Sequence, residues 1–175
     1  MRETEMKETP KQYIKRILGN LEDKDPLRVQ AATVKKIERL VRRLSPAQMR
    51  RRPAKGKWSV AEILAHLSDT ELVGGYRIRT ILSKNGTQIQ AFEQDDWARD
   101  GKYARRDPRE SLELFRTLRE ANLRLLKSLS RRQWSNYGMH AERGKETIRR
   151  VVEMFAGHDL NHLRQIEAQA RWKRM

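Results

Sequence analysis

The sequence predicts an all-α protein, a four-helix bundle with a short extra N-terminal helix. Four long segments carry apolar residues three and four positions apart, which is the spacing of an amphipathic helix. Segments with the alternating pattern of a strand are almost absent, and only 6% of the 175 residues are aromatic. We expect an N-terminal extension over residues 1–24 and one bundle domain over residues 25–175.

The first predicted helix is short and covers about residues 11–20. Asp25 and Pro26 mark the start of the first long helix, because aspartate caps exposed backbone N–H groups and proline is tolerated in a first turn. This helix is expected over about residues 26–44. A short turn and a basic loop follow at residues 45–58.

The second long helix is expected over residues 60–83. Ser59 precedes it, and Glu62 stands three positions further on, which is the pattern of a capping box. An irregular connection follows at residues 84–106, with one turn expected near Trp97.

Asp107 and Pro108 repeat the start signal for the third long helix, which is expected to end near residue 129. A second irregular stretch begins at residue 130. The fourth long helix is expected over about residues 145–172.

Composition limits the chemistry that this chain can supply. It has no cysteine, which excludes disulfides, thiolate metal ligands and a cysteine nucleophile. No apolar run approaches the roughly 18 residues of a membrane span, and the charged N-terminus lacks the apolar segment of a signal peptide. We therefore expect a cytoplasmic protein without a membrane partner.

The formal net charge of +16 favours anionic partners. A non-catalytic, basic helical protein that binds nucleic acid is therefore one alternative, supported by the basic segment at residues 50–57. Few aromatic residues lie among these positive charges, and no known nucleic-acid-reading motif is visible. Nucleic acid is the less favoured partner.

Two histidines four positions apart indicate a metal site. On a helical wheel with about 100° per residue, His158 and His162 fall on the same inward half as Ile148. Imidazoles at this spacing can share one ion. His66, on the second long helix, could supply a third ligand. The alternative is a set of core histidines that bind buried carboxylates.

Over about residues 25–169, the chain resembles the DinB/YfiT-like superfamily. Four segments together carry this resemblance: KWSVAEILAHLSDTE, EQDDWARD, MHAERGKET and EMFAGHDLNHLRQIE. The resemblance implies a four-helix bundle in an up-down-down-up arrangement. It also implies one divalent metal ion, often zinc or nickel, held by His66, His158 and His162. Many relatives have a further histidine one turn before the last pair, where this chain has Met154.

Four further residues are candidates for the pocket or for support of the ligands. Asp159 and Glu71 occupy central places on their helices, where each could hydrogen-bond a ligand imidazole. Alternatively, they hold the helices together through an arginine or the Trp58 indole. Arg77 lies on a similar face to His66 and could meet an anionic substrate, and His140 is expected in a loop near the mouth of the site.

Several other residues have two interpretations. Trp97 and Tyr103 could form a lid, but they more often anchor a long loop in such a position. Asp69 is expected to face solvent or to cap a helix. Gly74 and Gly75 could kink the second long helix, admit a substrate close to the backbone, or permit tight packing.

Two metal-dependent reactions are compatible with these features. The resemblance includes S-transferases in which a low-molecular-weight thiol, bacillithiol or mycothiol, attacks a small electrophile, and detoxification would follow. Hydrolysis by metal-bound water is the alternative. We favour thiol transfer slightly, and the absence of cysteine fits a sulfur that the cosubstrate supplies. HDLNH also lacks the glutamate of a zinc protease motif. Apolar side chains on the helix exteriors would suit a homodimer.

Overall fold

Four long helices form the body of the computed structural model, which describes residues 8–171. The elements, in chain order, are α1 (Pro10–Leu21), α2 (Pro26–Val41), α3 (Pro46–Arg50), α4 (Val60–Ser83), β1 (Thr87–Ile89), α5 (Gln94–Asp100), α6 (Pro108–Ser128), β2 (Tyr137–His140), β3 (Gly144–Thr147) and α7 (Ile148–Arg171), with single 3-10 turns at Tyr103–Arg105 and Gln133–Ser135.

Two apolar clusters, one toward each end of the bundle, establish the direction of the four long helices. The first cluster joins the C-terminal parts of α2 and α7 to the N-terminal halves of α4 and α6, through residues that include Val41, Ile166, Ile63 and Phe115. The second joins the opposite ends of the same helices, through residues that include Leu27, Ile148, Ile81 and Leu126. Helices α2 and α7 therefore run one way and α4 and α6 the other. This confirms the expected up-down-down-up bundle.

The predicted starts of three long helices are confirmed by their caps. The side chain of Asp25 accepts a hydrogen bond from the backbone of α2, and that of Asp107 from the backbone of α6. Ser59 and Glu62 form the reciprocal bonds of a capping box at α4. Helix α2 ends at Val41, three residues earlier than expected.

A small sheet precedes α7 and corrects the expected start of that helix. Strand β2 pairs in parallel with β1 and antiparallel with β3, so that residues 144–147 are extended and not helical. Strands of three and four residues are too short to show an alternating pattern in sequence. The sheet places His140 in a strand and buries it, which corrects the expectation that it lies in a loop.

Helix α1 packs against α7 with the two backbones in contact. A Cβ atom added at Gly157 would lie 2.1 Å from the carbonyl oxygen of Ile17, so only glycine permits this approach. Ile17 is buried by the contact. This part of the predicted N-terminal extension therefore covers α7 beside His158.

The glycine pair in α4 serves tight packing. A Cβ atom at Gly74 would lie 2.3 Å from the ring of Phe155, and one at Gly75 would lie 2.5 Å from the amide of Asn122. The segment is helical throughout. Among residues 8–171, no helix is long and apolar enough to cross a membrane.

Candidate metal centre

Three buried histidines converge where α4 lies against α7. The Nε2 atom of His158 lies 3.0 Å from that of His66 and 3.1 Å from that of His162. A tetrahedral ion bound at about 2.0–2.1 Å would separate its nitrogen ligands by roughly 3.3 Å. One ligand atom from each of the three rings lies within 4.8 Å of the others, so small movements of the side chains would let one ion bind all three nitrogens. Within the described chain, this is the group of histidine and acidic side chains whose geometry suits a metal ion.

Burial keeps the three imidazoles in the form that binds metal. It lowers the pKa of His162 to about 4, although the hydrogen bond that His162 donates to Gln165 partly offsets this. Burial, followed by the charges of the neighbouring histidines, lowers the pKa of His66 and His158 well below the ordinary value. At neutral pH all three rings are uncharged, so each can offer a nitrogen lone pair.

Gln165 orients one of the three rings. Its Oε1 atom lies 2.8 Å from Nδ1 of His162, and because an amide oxygen only accepts, Nδ1 carries the hydrogen and Nε2 keeps its lone pair. The Nδ1 atoms of His66 and His158 are buried without a hydrogen-bond partner among the described residues. The role of Gln165 was not predicted, although a residue three positions after His162 lies beside it on the same helix face.

Aromatic rings close one side of the centre. The indole of Trp58 lies 4.8 Å from the ring of His66, and it stacks on His162 at 6.3 Å with an angle of 15°. Tyr103 meets the Trp58 ring edge-on at 6.2 Å. The three histidines are therefore shielded from water on this side.

Tyr103 anchors the connection between α4 and α6 and does not act as a lid. Its ring is fully buried, and its hydroxyl donates to Asp69 at 2.9 Å. Arg106 donates to the same carboxylate at 2.9 Å. The expectation that Asp69 faces solvent or caps a helix is wrong, because these two partners bury it. Trp97 is exposed and packs on Phe92, away from the histidines.

Two clefts lead to the histidines. One, of about 450 Å³, is lined by His158, His162 and Trp58. The other, of about 520 Å³, is lined by His66 and again by His158. Tyr13 of α1 and residues 94–95 of α5 border both clefts. A small molecule could therefore reach the centre through either cleft.

Arg119 joins all four long helices directly beside the centre. Its guanidinium donates to both oxygens of Asp159 at 2.6 and 3.0 Å, to Glu71 at 2.9 Å and to the carbonyl of Gln30 at 2.9 Å. Burial would lower the pKa of Arg119, but the charges of Asp159 and Glu71 outweigh burial and raise it. The guanidinium is therefore a fixed cation in the core.

Asp159 and Glu71 thus hold the helices together, which is the second of the two sequence interpretations. Their hydrogen bonds run to Arg119 and, for Glu71, to Asn122 at 2.8 Å. No bond joins either carboxylate to a histidine ring in the part of the chain that is described. The roles of Arg119 and Asn122 were not predicted from the sequence. Their spacing from Phe115 nevertheless indicates that both face the inside of the bundle.

The second cleft holds the other two pocket candidates. Arg77 and His140 are both buried, with 5% and 3% exposure, and both line this cleft with His66 and His158. Met154 is buried and lines this cleft as well.

Fold and site together define a helical bundle with a three-histidine centre between two of its long helices. The sequence matches the family model described as the DinB superfamily over residues 31–166. Because this match spans well over half of the chain, the protein belongs to the DinB superfamily.

Similar proteins come from several bacilli. A protein of Halalkalibacterium halodurans is 25% identical over 142 residues, which are 81% of this chain and 78% of that protein. YfiT of Bacillus subtilis is 24% identical over 140 residues, 78% of this chain and 77% of its own length. Both carry names that describe a candidate metal-dependent hydrolase.

A solved structure of Bacillus subtilis YfiT shares the fold. It superposes with a TM-score of 0.78 at 20% identity and covers 99% of this chain and 92% of its own. That protein is described as a probable metal-dependent hydrolase with an unusual four-helix bundle topology. At this identity, the likeness supports the fold of the present chain alone.

Proposed function

We propose that this protein is a divalent-metal-dependent hydrolase of a small molecule, with His66, His158 and His162 as the metal ligands. The observation that carries the proposal is the convergence of three neutral, buried Nε2 atoms at the meeting point of two clefts. The names of the similar proteins support the same class of reaction.

Imidazole ligands without a thiolate suit zinc or nickel. When bound, such an ion acts as a Lewis acid that lowers the pKa of water or polarises a carbonyl group. Three protein ligands are typical of catalytic sites, which keep a position for substrate, whereas structural zinc sites are closed by four.

The side chains around the ligands have separate tasks. Gln165 orients His162, and Trp58 excludes water from one side. The hydroxyl of Thr70 lies 3.4 Å from Nε2 of His66, which places a neutral donor or acceptor beside the reaction site. The carboxylates Glu71 and Asp159 are bound to Arg119 and are poorly placed to accept a proton from substrate or water.

This last feature favours a second candidate reaction, the transfer of a low-molecular-weight thiol to a small electrophile. Hydrolysis gains from a carboxylate base beside the attacking water, and Glu71 and Asp159 are already engaged. A thiol is far more acidic than water, so a bound cation alone can keep it deprotonated. Bacillithiol and mycothiol are the cosubstrates that the family resemblance implies.

Elemental analysis of untagged protein tests the metal site. We expect about one zinc or nickel ion per chain in the wild type, a loss of metal in His162→Ala, and full occupancy in His140→Ala, the matched control outside the cluster. The metal-containing protein is then assayed against ester and amide substrates, and separately with thiols and electrophiles. Wild-type protein that stays free of metal after incubation with these ions would refute both reactions.

A further inference from the structure

We propose that Arg77 and His140 form a subsite that binds an anionic group of the substrate, most simply a carboxylate, in the cleft beside the three histidines. This subsite would define a substrate class for the proposed enzyme. Only the link to the reaction rests on the proposed function. Anion binding itself depends on these two side chains and can be measured without turnover.

Arg77 is a buried cation that has no carboxylate partner among residues 8–171. Its guanidinium has five N–H donors, and its one hydrogen bond within the described chain runs to the carbonyl of Gln90. Its Nε is buried without any partner among these residues. Arg119, at similar burial, also has an Nε without a partner among these residues, but it makes three bonds to carboxylate oxygens and one to a carbonyl, so its charge is paired. Since burying an unpaired charge is costly, an anion bound to Arg77 would relieve a penalty that Arg119 does not carry.

Charge supports the same conclusion. Burial, and then the nearby charge of Arg143, lowers the pKa of Arg77 to about 10. The side chain therefore stays positive at neutral pH, in surroundings that disfavour its charge. A carboxylate would match the planar guanidinium and could accept two parallel hydrogen bonds from it.

His140 supplies a neutral donor to the same cleft. The backbone N–H of Glu142 donates to its Nδ1 atom at 3.2 Å, which leaves the hydrogen of the neutral ring on Nε2. This Nε2 is buried and has no partner in the described residues. Burial, and then Arg143, lowers the pKa of His140 to about 4, so the ring is neutral at pH 7.

The acidic residues in or near this cleft form no ion pair with Arg77 among the described residues, although the charges of Glu146 and Glu142 favour its charged form. Glu146 is paired with Arg143 at 2.7 Å. Glu8 is paired with Arg16 at 2.8 Å. The remaining acids, Glu93, Asp95 and Glu142, are exposed at the rim. The buried part of the cleft therefore combines the three-histidine centre with an unpaired cation.

The helix sets the distance between the two parts of the site. The eleven residues from His66 to Arg77 span about 16 Å along α4. Because the side chains of His66 and Arg77 both lean toward the N-terminus of α4, the guanidinium and the His66 ring stay well separated along the cleft. The substrate class is thus an elongated small molecule with its anionic group several bonds from the group that reacts.

The first experiment measures anion binding by nuclear magnetic resonance titration with acetate and, separately, with inorganic phosphate, at constant ionic strength. We expect saturable binding of one acetate per chain, at least tenfold weaker in Arg77→Met and within twofold of wild type in Arg124→Met, an exposed arginine on α6. Tighter binding of phosphate than of acetate would assign the subsite to phosphoryl groups. Equal affinity in wild type and Arg77→Met, or no saturable binding, would overturn the proposal.

A second pair of variants covers the case in which Arg77→Met fails to fold. Arg77→Lys keeps the charge with fewer donors, and His140→Gln removes the imidazole. Both should weaken acetate binding severalfold while the protein keeps its metal content. If Arg77 only braces the backbone at Gln90, these variants lower Tm and leave acetate affinity unchanged.

The last experiment links the subsite to the metal centre. Zinc-treated protein is titrated with two alkyl hydroxamates of equal length, one ending in a carboxylate and one in a methyl group. We expect the carboxylate to improve affinity at least tenfold in wild type and not at all in Arg77→Met. Equal affinity in wild type overturns the subsite, whereas failure of both hydroxamates to bind contradicts the metal-dependent function and leaves the acetate titration to decide on the subsite.

Discussion

Two buried polar clusters lie next to each other in the middle of this bundle, and they differ in how completely their members are bonded. In the first, Arg119 donates to Asp159, Glu71 and the backbone of α2, and opposite charges meet at normal distances. In the second, three imidazoles of one type face each other, and two of them bury an Nδ1 atom without a partner.

In the first cluster the buried charges are paired, although the Nε of Arg119 also lacks a partner among the described residues, and this cluster is structural. In the second cluster, neutral Nε2 atoms face each other without an opposite charge, and a metal ion could satisfy them together, which makes it the candidate functional cluster. The clusters are adjacent because His158 and Asp159 are consecutive on α7. The bonded cluster fixes the helices, and the histidines gain a position that does not depend on a bound ion.

Replacement of Arg119 by methionine should have the largest effect on stability. Two carboxylates would remain buried without their cation, which typically costs about 3–5 kcal/mol. For a chain of this size we expect Tm to fall by roughly 10 °C or more. Arg116→Met, on the exposed face of α6, is the control and should change Tm little. A similar Tm for both variants would show that the cluster does not hold the helices together.

Acidification should destabilise the metal-free protein, and mainly through the histidines. The pKa values of His140 and His162 are about 4 when folded, below the ordinary 6.5 that the unfolded chain shows. The unfolded chain therefore binds more protons between these values, so stability is complete above about pH 6.5 and is lost as the pH falls toward 4. Each histidine contributes at most about 1.4 kcal/mol per pH unit.

Thermal melts in a chelator, from pH 7.5 to 4.5, measure this dependence. His140→Gln removes one of the groups and should flatten the decline. A wild-type Tm that stays constant down to pH 5 contradicts the low pKa values.

Gln165→Leu should weaken metal binding without unfolding the protein. Loss of the acceptor at Nδ1 of His162 removes the bond that fixes the ring, and such bonds are typically worth about 10–100-fold in metal affinity. Competition with a zinc chelator measures the change. Gln165→Glu keeps an acceptor and should bind zinc nearly as tightly as wild type. Equal affinity in the leucine variant would mean that packing alone orients His162.

Gly157→Ala should separate α1 from α7. The new methyl group would overlap the carbonyl oxygen of Ile17, and such overlaps cost about 1–3 kcal/mol. Gly19→Ala, in α1, meets no atom within 4 Å and should gain up to about 1 kcal/mol of stability instead. Equal Tm values for the two alanine variants would show that α1 moves aside at no cost.

The fold could be predicted where the information is local. Helix starts at Asp25, Ser59 and Asp107 depend on bonds within one turn, and the sequence places all three correctly. The start of α7 depends on the pairing of β3 with β2 across a turn. Strand β2 in turn pairs with β1, which lies much earlier in the chain. Such non-local pairing left the beginning of α7 three residues from its expected place.

The residues of the site also differ in whether local sequence could predict them. His158 and His162 could be paired from their spacing on one helix, whereas His66 lies 92 residues away from His158 and was assigned through the family resemblance. Arg119 was missed because composition rules place arginine outside, and its partners lie 40 and 48 residues away. That the three histidines bind a metal stays a prediction.

The parallel course of α4 and α6 has a consequence for how such a protein can acquire new substrates. Two parallel neighbours require a connection that travels back along the bundle, and this segment, residues 84–107, also forms a wall of both clefts. Tyr103 fastens its far end to α4. Changes in its length or side chains would reshape the clefts while the helices, the histidines and the Arg119 cluster keep their places. Topology thus assigns recognition and stability to different parts of one chain.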